Sequence, residues 1–335
     1  MPEQPIAEPA APAGLILPGD PPNAEAPPEA FEQLITPAHQ RFVRSHHPVP
    51  LLDEQHALEL CGAVAHRLHL TVAALRLLPS SSLTVLTECA GNGRRSLAPK
   101  VAGEQWGGGA VSTAQWTGAP LRALLERAGL ADTAVELVFS GADAGDYQRS
   151  LPREAALDPS ILLAWEMNGA PIPPVFGGPL RLVVPGWYGM ASVKWLARIE
   201  AVETPFSGKY QTEKYLYAPG VPVSRVRIKS MFTALPPELR AGEPVRICGL
   251  AWGGEGVGRV DVFAAERWQA ARLVGPPLPH AWRRFELVWT PPGPGRHLLR
   301  CRAIDARGEA QPAAPQWNPG GYGANGVQEI AVVVR

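Results

Sequence analysis

The chain of 335 residues carries no net charge, because 31 basic and 31 acidic residues cancel. No global field therefore draws it to nucleic acid or to an anionic membrane, and only a local anion site is left open. Cysteine is scarce: Cys61, Cys89, Cys248 and Cys301 lie far apart, with no CxxC pair and no Cys/His cluster. That spacing argues against structural zinc and iron–sulfur ligation and still allows a single thiolate ligand. Apolar runs such as Leu182 to Val184 are far too short to cross a bilayer, so a soluble chain without membrane insertion is expected. The N-terminal stretch lacks a basic n-region, an uninterrupted apolar segment and a twin-arginine pair. The expected location is the cytoplasm, although a chain numbered after signal removal would look the same.

What is abundant is glycine and proline, 34 and 37 residues, about a fifth of the chain. With 46% hydrophobic and 19% charged residues, this composition excludes a wholly disordered chain. It points to short strands, many turns and few long helices. The length implies two domains with real cores. Nine prolines fall within the first 28 residues, a composition that cannot hold a core and behaves as an extended tail or as a strap across another surface. The expected organisation is a Pro-rich tail over 1–37, a mixed α+β domain over 38–216 and an all-β sandwich over 217–335.

In FVRSHHPVPLLD, Pro48 and Pro50 forbid a helix and hold the segment extended. Leu83 to Glu88 reads as a β-branched strand that ends in Cys89 and a Gly/Asn-rich turn. TGAPLRALLERAGL is the best helix, with Pro120 near its first turn, Leu121, Leu124, Leu125 and Ala128 on one face, and Gly129 as its stop. Val135 to Ser140, Ile161 to Trp165 and Leu180 to Pro185 read as buried strands. In the C-terminal part, Arg225 to Lys229, Val245 to Leu250, Arg259 to Ala264, Arg283 to Trp289 and His297 to Ile304 alternate as sandwich strands do. Cys248 and Cys301 occupy strand-like runs about fifty residues apart, as the core strands of an immunoglobulin-like sandwich would; two unpaired buried thiols is the plainer reading in a reducing compartment. Cys61 reads as a small core residue.

Cys89, in TECAGNGRRS, stands beside the amides of Gly91 and Gly93 and near Arg94 and Arg95. Such a setting lowers a thiol pKa and suits a nucleophile or a soft-metal ligand; from the cysteine alone, a buried small hydrophobe is the plainer reading.

Its surroundings change the balance. Five motifs occur in order: FVRSHHPVP for F-x-R-N-H-x-P-V-P, ECAGNGRRS for C-A-G-N-R, QWGGGAVSTAQWTGAPL for W-x-x-G-A-(I/V)-S-x-A-x-W-x-G, LLAWEMNGAPIP for an E-M-N-G run, and PLRLVVPGWYGMASVKW for P-x-R-x-V-V-P-G-x-x-G-x-x-x-V-K-W. From Arg41 onward the chain resembles the sulfite oxidase family of molybdenum enzymes. The resemblance implies an α+β molybdopterin-binding domain followed by an immunoglobulin-like dimerisation domain. It also implies that Cys89 binds molybdenum through sulfur, and that the cofactor is gripped by Phe42, Arg44, Ser45, His46, Asp143, Arg181, Ser192, Val193 and Lys194. On the substrate side it implies Arg44 facing an anion, Trp106 as a pocket wall and Tyr215 beside the reacting oxygen.

The implied reaction is oxygen-atom transfer, sulfite to sulfate, in a homodimer that hands electrons to a separate acceptor such as a cytochrome. CxxCH is absent, so no heme is expected. Ser45 departs from the family's Asn, Phe176 from a cofactor-contacting His, Lys214 from an Asp, and Gly320 from a pocket Arg in W-N-x-R-G. The inserted Gly93 leaves open which of Arg94 and Arg95 matches the family arginine. Two rival readings stand: the same cofactor reducing nitrate or a sulfoxide, and a non-enzymatic two-domain binding protein in which Cys89 is only structural.

Overall fold

Strands and turns dominate, as the glycine and proline content dictates. The computed structural model describes residues 16–17, 23–53, 55–233, 235–236 and 238–335. Two five-stranded sheets build the first domain. One runs Ala170–Pro171, Leu162–Met167, Val111–Pro120, Ser81–Glu88, with Arg181–Val183 also paired to Leu162–Met167. The other runs Leu68–Thr71, Ala57–Gly62, Leu196–Val202, Glu136–Gly141, Gln148–Pro152, and its Ala57–Gly62 and Leu196–Val202 strands are parallel. The expected helix is there as Leu121–Ala128, burying Leu121, Leu124, Leu125 and Ala128 and ending at Gly129 in the left-handed region, φ 66°.

The second domain is a sandwich of two four-stranded antiparallel sheets. Lys229–Phe232, Val245–Trp252, Arg283–Trp289 and Arg272–Val274 form one, and Arg267–Ala270, Val257–Ala264, Gly295–Asp305 and Gln328–Val334 the other. Ile247, Val260, Val262, Phe285 and Leu299 fill the space between them. Cys248 and Cys301 lie in opposite sheets and are unpaired, and burial pushes the Cys301 thiol up to about 12.

Two expectations change. Arg225 to Lys229 is not a strand: Val226 donates to the Gly186 carbonyl and accepts from the Gly254 amide, so this stretch threads between the domains and the strand starts at Lys229. The proline-rich residues 23–37 do contribute to a core. Ala26, Ala30 and Phe31 are buried in it, and Ala24 exchanges backbone hydrogen bonds with Val43 at 3.0 and 2.8 Å. Proline removes donors without preventing a strap from burying the apolar side chains between. The remainder of the expected tail, 1–15 and 18–22, lies outside the described residues.

One apolar core crosses both domains, from Ala26 and Phe31 through Leu86 and Val226 to Trp252 and Trp282. Phe31 meets Trp282 edge to face with centroids 6.0 Å apart. Because the core is shared, Trp282→Ala should cost roughly 3–5 kcal/mol, and heating should unfold the two domains in one transition. Calorimetry resolving two separate transitions in the unaltered chain would contradict this.

Candidate active site

Pro48 and Pro50 keep the segment before them extended, so Phe42, Arg44 and His46 project to one side. All three line one cleft of the first domain, with Cys89, Asp143, Arg181 and Lys194 in the same lining. The strap fixes this segment from behind, with the Ser45 amide donating to the Asn23 side chain at 2.8 Å. Lys194 fixes it from the other side, donating to the Arg44 carbonyl at 3.0 Å, the Ser45 hydroxyl at 2.5 Å and the Val175 carbonyl at 3.1 Å. Burial, then Arg181 and Arg44, hold the Lys194 pKa well below its ordinary value.

Cys89 follows the last residue of strand Ser81–Glu88. Its amide is tied to the Ala110 carbonyl at 2.9 Å and its carbonyl accepts from Asn92 at 2.9 Å. Gly93 takes the left-handed turn, φ 91°, which favours glycine, and a Cβ on Gly91 would lie 2.7 Å from the Arg94 guanidinium, so a side chain there would displace Arg94. The carboxylate just before the sulfur is fully committed: Glu88 accepts from Asn92 at 2.9 Å, from the Trp252 indole at 2.9 Å and from Lys229 at 3.3 Å. Cys89 differs from expectation in one respect. Burial pushes its thiol pKa up, only partly offset by Arg44, the Gly91 amide and Arg94. Neighbouring positive charges lower a thiol pKa, but here the loss of hydration on burial outweighs them.

A second, wider cleft opens from the sulfur toward the sandwich domain. Arg44, His46, Cys89 and Tyr215 line both clefts and form their junction. Of the two candidate arginines, Arg94 faces this outer cleft, donating to the Gly320 carbonyl at 3.1 and 2.9 Å and the Glu104 carbonyl at 2.8 Å. Arg95 points outward. Gly320, where the sequence pattern departs, therefore supplies a carbonyl that holds Arg94. Trp106 is fully buried at the wall of the outer cleft.

The proton positions at the junction follow from donor chemistry. Arginine only donates, so the 2.9 Å contact from Arg44 Nη2 makes His46 Nδ1 an acceptor. His46 Nε2 then carries the hydrogen and donates to Tyr215 Oη at 2.7 Å. The Tyr215 O–H is left to donate elsewhere, and burial holds it protonated, far above the ordinary phenol range. Burial, then Arg44, His47, Lys194 and Lys214, pull His46 down to about 3. Of the nearby tyrosines, Tyr210 bonds His47 at 2.8 Å and Tyr217 lies under Arg227, and Tyr215 is the one at the junction. It sits at φ 55°, a conformation costing roughly 1–3 kcal/mol, which the surrounding packing imposes.

Asp143, Arg181 and Ser192 also line the inner cleft. Val193 does not: its side chain is in the core, and only its carbonyl, accepting from Leu182 at 2.9 Å, faces the neighbouring strand. Tyr147 went unnoticed in the sequence. It stacks on His46 with centroids 5.8 Å apart and donates to the Met190 carbonyl at 2.8 Å. Arg41, the residue just before the FVRSHHPVP motif, went unnoticed as well. The residues present fit a molybdopterin: a lone thiol opens into the cleft, and buried Arg41 Nε and Nη1 and Arg181 Nε have no hydrogen-bond partner among the described residues.

The oxidoreductase molybdopterin-binding domain model matches residues 46–210. Chicken sulfite oxidase is 35% identical over 334 residues, covering 88% of this chain and 72% of its own length. The chain belongs to the sulfite oxidase family. Human mitochondrial sulfite oxidase is 36% identical over 349 residues, 93% of this chain, and the chain spans 64% of that relative's length. Among solved structures, the sulfane dehydrogenase SoxCD from Paracoccus pantotrophus superimposes with a TM-score of 0.82 at 33% identity, covering 93% of this chain and 84% of that one.

The depressed His46 pKa has a consequence for stability. Between about pH 6.5 and 3 the unfolded chain takes up a proton on His46 that the folded site refuses, so stability must fall as pH drops through that window. In His46→Gln this contribution is gone, and melting temperature should decline less steeply from pH 6.5 downward. Superimposable pH profiles for the two proteins would contradict the buried neutral imidazole.

Proposed function

We propose that this chain is a molybdopterin-dependent oxidoreductase that takes sulfite to sulfate and passes electrons to a separate one-electron acceptor such as a cytochrome. The observation that carries the reading is the junction itself. Among the described residues, the side chains shared by the two clefts are a thiol, an arginine, a neutral histidine and a protonated tyrosine. The inner cleft would hold the cofactor and the outer one would admit a small anion. The balance is sulfite plus water giving sulfate, two protons and two electrons.

When bound, the molybdenum centre supplies the transferred oxygen and accepts the electron pair. Cys89 would hold the metal through sulfur, a soft ligand that needs no cluster of histidines or carboxylates around it. Arg44 and Arg94 bind and orient the anion, offsetting its repulsion from an oxygen-rich centre. Tyr215, kept protonated and already accepting from His46, directs its O–H toward the anion's oxygen. Trp106 closes the wall against water. The proposal extends to a two-fold homodimer through the sandwich. Trp252, Trp282 and Trp289 are buried in the chain itself, whereas Trp268 remains 38% and Val333 69% exposed, and these outer apolar groups support a partner copy on that face.

Steady-state assays with sulfite, nitrate and methionine sulfoxide test the substrate. Sulfite oxidation should dominate. Losing a charge-assisted hydrogen bond to the anion in Arg44→Gln should raise KM for sulfite by about 10- to 150-fold, and rising salt should weaken the unaltered enzyme's apparent affinity. Faster nitrate or sulfoxide reduction, or an unchanged KM in the variant, would overturn the assignment.

A further inference from the structure

The inner cleft is lined by a guanidinium that the described residues leave unsatisfied. Arg41 is 2% exposed, lines the cleft, and has its Nε and Nη1 buried without a partner among the described residues. Its guanidinium carbon lies 5.4 Å from the Trp116 ring and 5.6 Å from the Phe176 ring. Arg181 shares the same indole at 5.1 Å. Two of its nitrogens are committed, to the Phe176 carbonyl at 2.8 Å and the Ser192 carbonyl at 3.3 Å, and its Nε is again an orphan. Neither arginine has a carboxylate within ion-pair distance among the described residues. The nearby Lys194 has all three hydrogens placed on chain oxygens.

Two like charges buried side by side destabilise each other. Burial and Arg181 pull the Arg41 pKa down to about 9, and burial lowers Arg181 to about 10. Aromatic faces recover part of the lost hydration of a guanidinium, but its in-plane N–H groups still need acceptors. A group that supplies several oxygens and two negative charges at once satisfies both arginines, and a phosphate monoester has that chemistry.

We propose that Arg41, together with Arg181, forms an anion hole in the wall of the inner cleft that takes the phosphate of the cofactor. The proposal rests on the molybdopterin reading of the cleft and adds to it the source of the charge. At 176, where the sequence pattern of relatives has a histidine, this chain has an apolar ring, and the cation comes from residue 41 instead.

The test compares the unaltered chain with Arg41→Met, Arg41→Lys and the double variant Arg41→Met/Phe176→His, each made in a host that synthesises the cofactor and in one that does not. Pterin per chain is read by fluorescence after oxidative release. Cofactor-free protein is melted with and without inorganic phosphate. Expected is at least a tenfold loss of pterin in Arg41→Met, partial recovery in Arg41→Lys and in the double variant, and a phosphate-dependent rise in melting temperature that Arg41→Met abolishes. The cofactor-free Arg41→Met protein should melt no lower than the unaltered one, because it has lost an unpaired buried charge. Undiminished pterin in Arg41→Met would overturn the proposal. An unaltered chain that carries no pterin at all would overturn the reading beneath it. The cofactor-free arm then decides the anion hole alone: a phosphate effect lost in Arg41→Met upholds it, and no phosphate effect overturns it.

Discussion

Buried positive charge in excess of the negative charge around one cleft is the constraint on which the rest of this structure depends. The chain as a whole is neutral, yet Arg41, Arg181 and Lys194 line one cleft, at 2 and 6% exposure for the two arginines, with the Asp143 carboxylate beside them, and Arg44, 3.9 Å from Glu104, stands at the junction. Unpaired ions are costly in a protein interior, so a fold retains them only where a ligand supplies the missing charge. The two sheets of the first domain, the strap over residues 23–37 and the proline-stiffened segment up to Pro50 can all be understood as means of holding that charge in place. His46 illustrates the consequence: buried beside Arg44, it stays neutral and relays orientation from Arg44 to Tyr215.

The opposite treatment is given to the one buried carboxylate beside the thiol. Glu88, 1% exposed, accepts from three donors, and two of them, Lys229 and Trp252, come from the sandwich. The C-terminal domain thus anchors the residue immediately before Cys89, and the backbone of Asn92 is held from the same side by Lys229 at 3.2 Å. Fixing a ligand through its neighbours is how a protein orients a metal site with few ligands. The shared core from Phe31 to Trp282 serves the same end, since a hinge between the domains would move Glu88 relative to the cleft.

Local chemistry made much of this legible in the sequence. The strand ending at Cys89, the helix from Pro120 to Gly129 and the sandwich strands follow from side-chain periodicity and turn residues, which act over a few positions. What escaped depends on packing between distant segments. Arg41 is buried because Trp116 and Phe176 come over it, and nothing near residue 41 announces either. Tyr147 enters the site only because Asp143 accepts from its amide at 3.1 Å and turns the loop inward. The choice between Arg94 and Arg95 needed the left-handed turn at Gly93 and the carbonyl of Gly320, more than two hundred residues away. The final strand, Gln328–Val334, followed a Gly-rich stretch and was recognisable only by its pairing with Gly295–Asp305. The thiol pKa of Cys89 was misjudged because neighbouring charges are visible in a sequence and desolvation is not.

The account stands or falls on the sulfur at the junction of the two clefts. X-ray absorption at the molybdenum edge, recorded on the unaltered protein and on Cys89→Ser from a cofactor-producing host, counts the sulfur atoms around the metal directly. A protein-derived thiolate predicts one sulfur fewer in the variant than in the unaltered chain, with the pterin still in place. An unchanged sulfur count, or a folded protein that takes up no molybdenum, would contradict it.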